Sequence, residues 1–376
     1  NTSFPKLTIQ GGVDIAVDLD TIWVGPGTYY LTNYVSMVNK HILLRSTDGA
    51  GATIVDGQYS NRCFSIMCDT STAAPTMLSG FTIINGSNGA SDAVFASSGG
   101  GGLLLLTNVA VHHCVIANNM ASPAGACYGG GILIWDAPNY TVPAIYNCTI
   151  VSNTAGFGGG LAMRSWLGTT PTPGALVAKN CRILWNKALN NGSGGGVACK
   201  KSGGVVSDCL IAYNLSDRAT PSGSGIWQDS SATAYAYYRN CTIVSNTATG
   251  AGGEGIAFQA NYPALTNCIV YGNYSKNMNA INATLTNRIA GCFIGWPTTS
   301  TNICYTNNNL TGFPAFAGYP ADFHLLSTSP CVNAGLNSAG NSLVDLDGSN
   351  RLFGRNIDIG CYEFSENRAG GMIFVK

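Results

Sequence analysis

One nine-residue segment recurs along the chain, and this repeat limits the fold more than any other feature. NCTIVSNTA occupies 147–155 and returns letter for letter at 240–248. Self-similarity at a period of about 20–50 residues is typical of architectures in which each repeat packs on the next one. Four weaker versions keep its order of residue types: HCVIANNMA at 113–121, NCRILWNKA at 180–188, DCLIAYNLS at 208–216 and NCIVYGNYS at 267–275.

A glycine cluster followed by a short apolar run keeps the same period. Short alternating segments bounded by Gly or Asn predict β-strands, and they do not have helical spacing. We therefore predict an all-β fold: a single-stranded right-handed parallel β-helix, a solenoid of about ten or eleven coils, each rising about 4.8 Å. The glycine segments are GGGLLLLT at 100–107, GGGILIWD at 129–136, GGGLAMRS at 158–165, GGGVACKK at 194–201, GSGIWQDS at 223–230 and GEGIAFQA at 253–260.

The cysteine segment also predicts which side chains enter the core. Strand side chains alternate between two faces, so the cysteine and the aliphatic residue two places on should both point inward. The last asparagine of each segment suits a corner, where stacked amides can bond from coil to coil. This structural ladder comprises Cys114, Cys148, Cys181, Cys209, Cys241 and Cys268, together with Asn119, Asn153, Asn186, Asn214, Asn246 and Asn273.

The 14 cysteines divide into two groups. The six in the ladder are expected to be small buried side chains, mostly free thiols. The remaining eight, including Cys63 with Cys68 and Cys331 with Cys361, are the better candidates for disulfides.

Charge is sparse and balanced, with 18 basic and 18 acidic residues among 376. No global field therefore draws nucleic acid or an anionic membrane, and no apolar run is long enough to span a bilayer. Asn1 at the start and the many cysteines favour an extracellular or cell-surface protein after signal-peptide removal. We divide the solenoid into an N-terminal cap with the first coils (1–60), regular coils (61–310) and a C-terminal module with its tail (311–376).

Both ends resemble known proteins. IQGGVDIAVDLDTIWVGPGTYY at 9–30 and HILLRSTDGAGATIVDG at 41–57 resemble the opening of bacterial right-handed β-helix proteins of the pectin-lyase-like superfamily. FHLLSTSPCVNAGLN at 323–337 and DLDGSNRLFGRNIDIGCYEF at 345–364 resemble the terminal module of choice-of-anchor Q surface proteins. The middle repeats are similar to those of polymorphic outer-membrane protein adhesins. The resemblance implies a secreted or surface-held β-helix, and since the superfamily contains both enzymes and adhesins, it leaves the function open.

An outward-facing column of residues on the glycine-segment strands contains the best candidates for catalysis and glycan binding. A lyase acting on an acidic polysaccharide needs a cation for the uronate carboxylate, a base for the C5 proton and an aromatic platform for the sugar. Arg164 and Lys200 could supply the first two functions, with Asp229 orienting Lys200 or lowering its pKa. Trp135 and Trp227 would contact the glycan. The competing interpretation is a solvated face on which Arg164, Lys200 and Asp229 pair across coils in a weak surface network.

The cysteine-segment strand has outward positions that are unusually apolar, so either loops or another subunit must cover them. The tail adds a β-prone run that could pair with the open end of the next molecule. Our first hypothesis is therefore an extracellular structural or adhesive protein that acts through self-assembly, as a filament subunit for example, or through contact with surface glycans. A polysaccharide-active enzyme, a lyase rather than a hydrolase, is the alternative. The candidate assembly residues are Met372, Ile373, Phe374, Val375, Val151, Leu184, Val244 and Tyr271.

No cofactor is predicted, apart from one weak signal for calcium. DLDGSN at 345–350 places Asp345, Asp347 and Asn350 at a spacing that resembles a calcium loop, but it lacks the glutamate at the twelfth position. The competing interpretation is a turn that bonds its own backbone.

Overall fold

A computed structural model confirms the parallel β-helix. A short helix, α1 (Ile9–Ile15), packs against the first coil, and Thr8 caps it by accepting a hydrogen bond from the Gly11 N–H. No helix among the described residues is long and apolar enough to cross a membrane. The structure describes residues 5–68, 75–88, 99–106, 108–121, 127–136, 143–165, 176–218, 223–229, 236–249, 254–259, 264–273, 276–280, 289–295, 308–337 and 342–365.

Two parallel sheets of ten strands each form two sides of the solenoid. The first sheet contains β1 (Thr21–Val24), β4 (Leu43–Ser46), β7 (Thr76–Ser79), β10 (Val109–His112), β13 (Ala144–Tyr146), β17 (Leu176–Lys179), β21 (Gly204–Ser207), β25 (Ala236–Arg239), β29 (Ala264–Thr266) and β32 (Ile289–Ala290). The second sheet includes the strands of the six cysteine segments. Its members are β2 (Gly27–Tyr30), β5 (Thr53–Asp56), β8 (Thr82–Ile84), β11 (Val115–Ala117), β14 (Thr149–Val151), β18 (Arg182–Leu184), β22 (Leu210–Ala212), β26 (Thr242–Val244), β30 (Ile269–Tyr271) and β33 (Phe293–Ile294).

A nine-stranded third sheet, made largely from the glycine segments, forms the remaining side. Its strands are β3 (Val35–Val38), β6 (Phe64–Met67), β9 (Leu103–Leu105), β12 (Ile132–Asp136), β16 (Leu161–Ser165), β20 (Val197–Lys200), β24 (Ile226–Gln228), β28 (Glu254–Phe258) and β31 (Lys276–Ala280). A small fourth sheet contains β15 (Thr154–Phe157), β19 (Lys187–Ser193), β23 (Leu215–Ser216) and β27 (Thr247–Ala248). An antiparallel hairpin, β34 (Phe316–Gly318) and β35 (Asp322–Leu325), lies in the C-terminal module.

The asparagine column forms a continuous hydrogen-bonded ladder. The Asn153 side-chain oxygen accepts from both the backbone N–H and the side-chain amide of Asn119, at 2.9 and 3.0 Å. The Asn153 amide in turn donates to Asn186, 3.0 Å away, and to the Ile116 carbonyl, 2.9 Å away. These bonds satisfy amides that the corner buries completely, and a buried polar group without a partner would be costly.

The ladder also explains why the glycine cluster keeps step with the asparagines. A β-carbon on Gly160 would lie 2.9 Å from the Asn186 side-chain nitrogen and 2.8 Å from the Gly196 carbonyl oxygen. Each ladder amide therefore packs directly on the glycine strand entering the third sheet. Two markers that look independent in the sequence are two sides of one contact.

The cysteines pack as buried side chains. All 13 that the structure describes are buried free thiols. The predicted disulfides differ from the structure: Cys63 contacts the Ile84 carbonyl, and Cys68 lies 2.7 Å from the Thr76 hydroxyl. Cys331 and Cys361 are likewise free, and burial raises the pKa of each thiol to about 12.

The C-terminal module covers the apolar outer face of the second sheet. Leu210, Ala212, Val244 and Ile269 are buried there against side chains of the module such as Phe323. The surface that we expected another subunit or loops to cover is therefore covered by the same chain. Of the candidate assembly residues, Val244 is fully buried, Leu184 and Tyr271 pack against the module and Val151 stays partly exposed, while Met372, Ile373, Phe374 and Val375 lie outside the described residues.

A buried ionic cluster joins the module to the coils. Arg351 is 1% exposed, with its guanidinium 3.2 Å from the Glu363 carboxyl group and 3.8 Å from the Asp208 carboxylate. The Ser342 hydroxyl also donates to Asp208. On the surface, Arg182 of β18 pairs with Asp347 at 2.9 Å. Burial raises the pKa of Glu363 to about 8.

Candidate anion-binding site

Two cations stand side by side on the outer face of the third sheet. Arg164 of β16 and Lys200 of β20 are direct register partners, and Trp135 of β12 is the partner of Arg164 on the preceding coil. Their neighbours Met163 and Cys199 point into the core, so alternation turns both cations outward. Neighbouring strands are about 4.8 Å apart, which keeps the two positive charges close.

Two aromatic rings form the base on which the cations rest. The Arg164 guanidinium lies 4.6 Å from the Tyr128 ring centroid, and the Lys200 ammonium lies 5.4 Å from it. Lys200 is also 5.8 Å from the Phe157 ring, which stacks on Tyr128 at 5.2 Å. Cation–π attraction of this kind holds a charged group in place without neutralising it.

The rings reach this position through the glycine corner. Tyr128 directly precedes Gly129, and Phe157 directly precedes Gly158. Both glycines have left-handed φ values, 66° and 63°, which a residue with a side chain rarely adopts. Our sequence reasoning missed Tyr128 and Phe157, although an aromatic residue directly before the glycine cluster in two successive repeats was an available signal.

Both predicted glycan-contact tryptophans are buried. Trp135 is 8% exposed and has Arg164 over its ring at 5.0 Å, and Trp227 is 4% exposed and lies 5.1 Å from Phe157. Neither ring therefore offers a free platform to a sugar, and both instead support the cations and Phe157. The Tyr128 hydroxyl and the Trp227 indole N–H are also buried, and neither has a hydrogen-bond partner in the described part of the chain.

Asp229 forms hydrogen bonds with the backbone of the preceding coil. Its carboxylate accepts a hydrogen bond from the Lys201 backbone N–H at 3.3 Å, and its own N–H donates to the Cys199 carbonyl. Within the described ranges, no carboxylate forms an ion pair with Arg164 or Lys200. The described residues therefore show no ion pair of the kind that the competing interpretation proposed for Arg164, Lys200 and Asp229. Two like charges at this separation repel each other, so a bound anion would relieve the repulsion.

The side chains of the weak calcium motif make hydrogen bonds and ion pairs within the protein. Asp345 is fully buried and accepts hydrogen bonds from the backbone N–H groups of Asp347, Ser349 and Glu363 at 2.7–3.0 Å. Asp347 pairs with Arg182 and with His324, and Asn350 forms a backbone bridge to Val344. Among the described residues, no group of three or more His, Cys, Asp or Glu side chains is arranged to hold a metal ion.

Comparison with known proteins supports the fold. No protein-family model matches the chain, and a search of curated proteins finds no match. Among solved structures, pectate lyase Pel9A is similar, with a TM-score of 0.54 at 12% identity over 95% of this chain and 91% of the lyase. The PL6 family polysaccharide lyase Pedsa3628 from Pseudopedobacter saltans aligns over 96% of this chain and 99% of its own length, at 13% identity and a TM-score of 0.33. At 12% identity the likeness to Pel9A concerns the fold alone, and it supports the parallel β-helix predicted from the sequence.

Proposed function

We infer that the protein acts on an acidic polysaccharide, which it binds through Arg164 and Lys200. One observation carries this proposal: the two cations are register neighbours, rest on aromatic rings and have no carboxylate partner among the described residues. A uronate carboxylate would accept hydrogen bonds from the Arg164 guanidinium, which suits planar carboxylates. This site favours the enzyme alternative over self-assembly, because the apolar face that suggested assembly is covered by the C-terminal module.

The reaction class that fits this arrangement is β-elimination. Arg164 would hold the uronate carboxylate and stabilise the negative charge that develops when the neighbouring C5 proton leaves. Lys200, the register neighbour of Arg164, is the side chain placed to take that proton. The electron pair forms the C4–C5 double bond, the C4–O glycosidic bond breaks and the leaving oxygen takes a proton from solvent. The products are one new reducing end and one unsaturated uronate end.

A hydrolase is less well supported. Hydrolysis of a glycosidic bond by two carboxyl groups needs an acid and a second carboxylate on either side of the bond. Among the described residues, the Asp229 carboxylate is 8% exposed and accepts a hydrogen bond from the Lys201 backbone N–H. We also propose an extracellular or cell-surface location, because a polysaccharide substrate is accessible to the protein there.

The test is incubation of the protein with polygalacturonate, alginate and hyaluronan, with an uncharged glucan as the control. Unsaturated ends are followed by ultraviolet absorbance and identified by mass spectrometry. We expect unsaturated products from at least one acidic polysaccharide and none from Lys200→Met. If the protein binds an acidic polysaccharide but forms no unsaturated products, the proposed β-elimination is wrong and the proposed acidic ligand still stands. If the protein neither binds nor cleaves any of the acidic polysaccharides, the proposal is overturned.

A further inference from the structure

One row of residues at a solenoid corner contains two bulky aromatic side chains where small or flexible residues are expected. The row consists of the residue before each ladder asparagine, and every member has a left-handed φ between 54° and 61°. Glycine and asparagine tolerate this backbone conformation, whereas a bulky side chain adopts it only at a conformational cost. The six positions are Asn118, Ser152, Trp185, Tyr213, Ser245 and Gly272.

Tyr213 has a structural reason to occupy this row. Its hydroxyl donates to the Pro320 carbonyl, and its ring lies 5.7 Å from Phe323. Both contacts hold the C-terminal module against the coils. The strained backbone at Tyr213 is therefore offset by packing.

Trp185 has no comparable packing against the residues that the structure describes. It is 55% exposed, and its one described ring contact is Tyr213, on which it stacks at 4.4 Å with the planes 11° apart. Its backbone N–H bonds to the Ala212 carbonyl, which any residue except proline could do. Since Tyr213 lies on the following coil, the opposite ring face of Trp185 looks toward the preceding coil, where Ser152 occupies the same corner.

The free face of Trp185 is therefore next to a row of polar, uncharged side chains on the preceding coils. Ser152 and Asn118 are both exposed and follow at successive coils, about 4.8 Å apart. A hydroxyl and an amide at that spacing can both donate and accept hydrogen bonds. The π face of an indole carries partial negative charge and attracts electropositive C–H groups. Together these features match a sugar ring with an apolar C–H face and hydroxyls at its rim.

We propose that Asn118, Ser152 and Trp185 form a polysaccharide-binding row, with one pyranose ring stacked on the free face of Trp185. The row carries no charge, so it binds the ring face and hydroxyls of the glycan and does not require a carboxylate. It is distinct from the Arg164–Lys200 site, which lies on the outer face of the third sheet. The row would hold a chain on the solenoid surface independently of any reaction at the cations.

The experiment measures binding of Trp185→Asn to four soluble polysaccharides: an uncharged glucan, an uncharged galactan, polygalacturonate and alginate. Trp23→Asn is the matched control, because Trp23 is 58% exposed and packs under Arg45 near the N-terminus, on a different sheet. We expect Trp185→Asn to weaken binding of at least one polysaccharide by about tenfold or more. Its melting temperature should stay the same or rise, because asparagine suits the left-handed backbone. Trp23→Asn should bind like the wild type.

Two outcomes would overturn the proposal: binding by Trp185→Asn equal to wild type for every ligand, or no binding by the wild type to any of the four. If Trp185→Asn loses its fold, Trp185→Phe keeps an aromatic face and should retain part of the affinity. Arg164→Met with Lys200→Met separates this row from the cation site. That double variant should leave uncharged-glycan binding unchanged, so failure of one proposal is distinguishable from failure of the other.

Discussion

Arg164 and Lys200 are direct register partners on adjacent coils, and both rest on the ring of Tyr128. We predict that Arg164→Met or Lys200→Met lowers affinity for an acidic polysaccharide by about tenfold or more, since charge-assisted hydrogen bonds contribute roughly 1.5–3 kcal/mol. Methionine keeps apolar contact with the aromatic rings while removing the charge. Titration calorimetry at low and high salt checks the result, because wild-type affinity should fall as salt screens the two charges.

Arg45→Met is the control for these variants. Arg45 also lies over an aromatic ring, Trp23, at 5.0 Å, but on the first sheet and away from the cation pair. Its loss should leave binding unchanged. An equal loss of affinity in Arg45→Met would mean that net charge, and not the paired site, attracts the polysaccharide.

The asparagine ladder should be sensitive to one deletion. In Asn186→Ala, the backbone N–H and side-chain amide of Asn153 and the carbonyl of Ile150 each lose a buried partner. Each unsatisfied buried group costs roughly 1–3 kcal/mol, so we expect a loss of at least about 2 kcal/mol in the free energy of unfolding. Denaturant titration measures it. Asn118→Gly is the control, because Asn118 is exposed at a left-handed corner that glycine tolerates, and its stability should stay near wild type.

The glycine side of the same contact gives a separate prediction. Gly160→Ala would force a β-carbon to within 2.9 Å of the Asn186 amide, so we expect destabilisation of about 1–3 kcal/mol or more. Gly51→Ala is matched to it, since a β-carbon at Gly51 meets no atom within 4 Å. The two melting temperatures should therefore separate. Equal stability of the two variants would contradict the close packing described for the corner.

Docking of the C-terminal module can be tested at Ala212. This side chain is fully buried beneath the module, so Ala212→Asp would place a carboxylate in an apolar interface. We expect the module to detach, becoming sensitive to limited proteolysis, and the exposed apolar sheet to promote self-association in size-exclusion chromatography. Val151→Asp, on the same outward face but partly exposed, should remain protease-resistant. A resistant, unchanged Ala212→Asp protein would argue against the module as the cover.

Glu363 should make stability depend on pH. Burial raises the pKa of its carboxyl from 4.5 to about 8, so the native state holds a proton that the unfolded chain releases above about pH 4.5. This contribution is therefore complete below about pH 4.5 and is lost as the pH rises toward 8. Glu363→Gln cannot titrate, so its melting temperature should fall less than that of the wild type between those values. Parallel curves for the two proteins would exclude Glu363 as the source.

The architecture was readable from the sequence because a solenoid is a local structure repeated. Cys148 and Ile150 alternate with outward residues in one strand, and Asn153 ends it, so a single repeat already identifies the core, the face and the corner. The ladder of asparagines and the outward orientation of Arg164 and Lys200 follow from that period. These features depend on residues that are neighbours in sequence or equivalent in successive repeats.

What only the tertiary structure decided involves contacts without a period. Nothing in the strand pattern indicates that Ala212 lies beneath a module more than 100 residues later, or that Arg351 reaches Asp208. Periodicity predicted that Trp135 points away from the core, and it does, but its ring is buried beneath Arg164. The alternation of a strand fixes the face on which a side chain stands, whereas its exposure depends on what the rest of the chain places over that face.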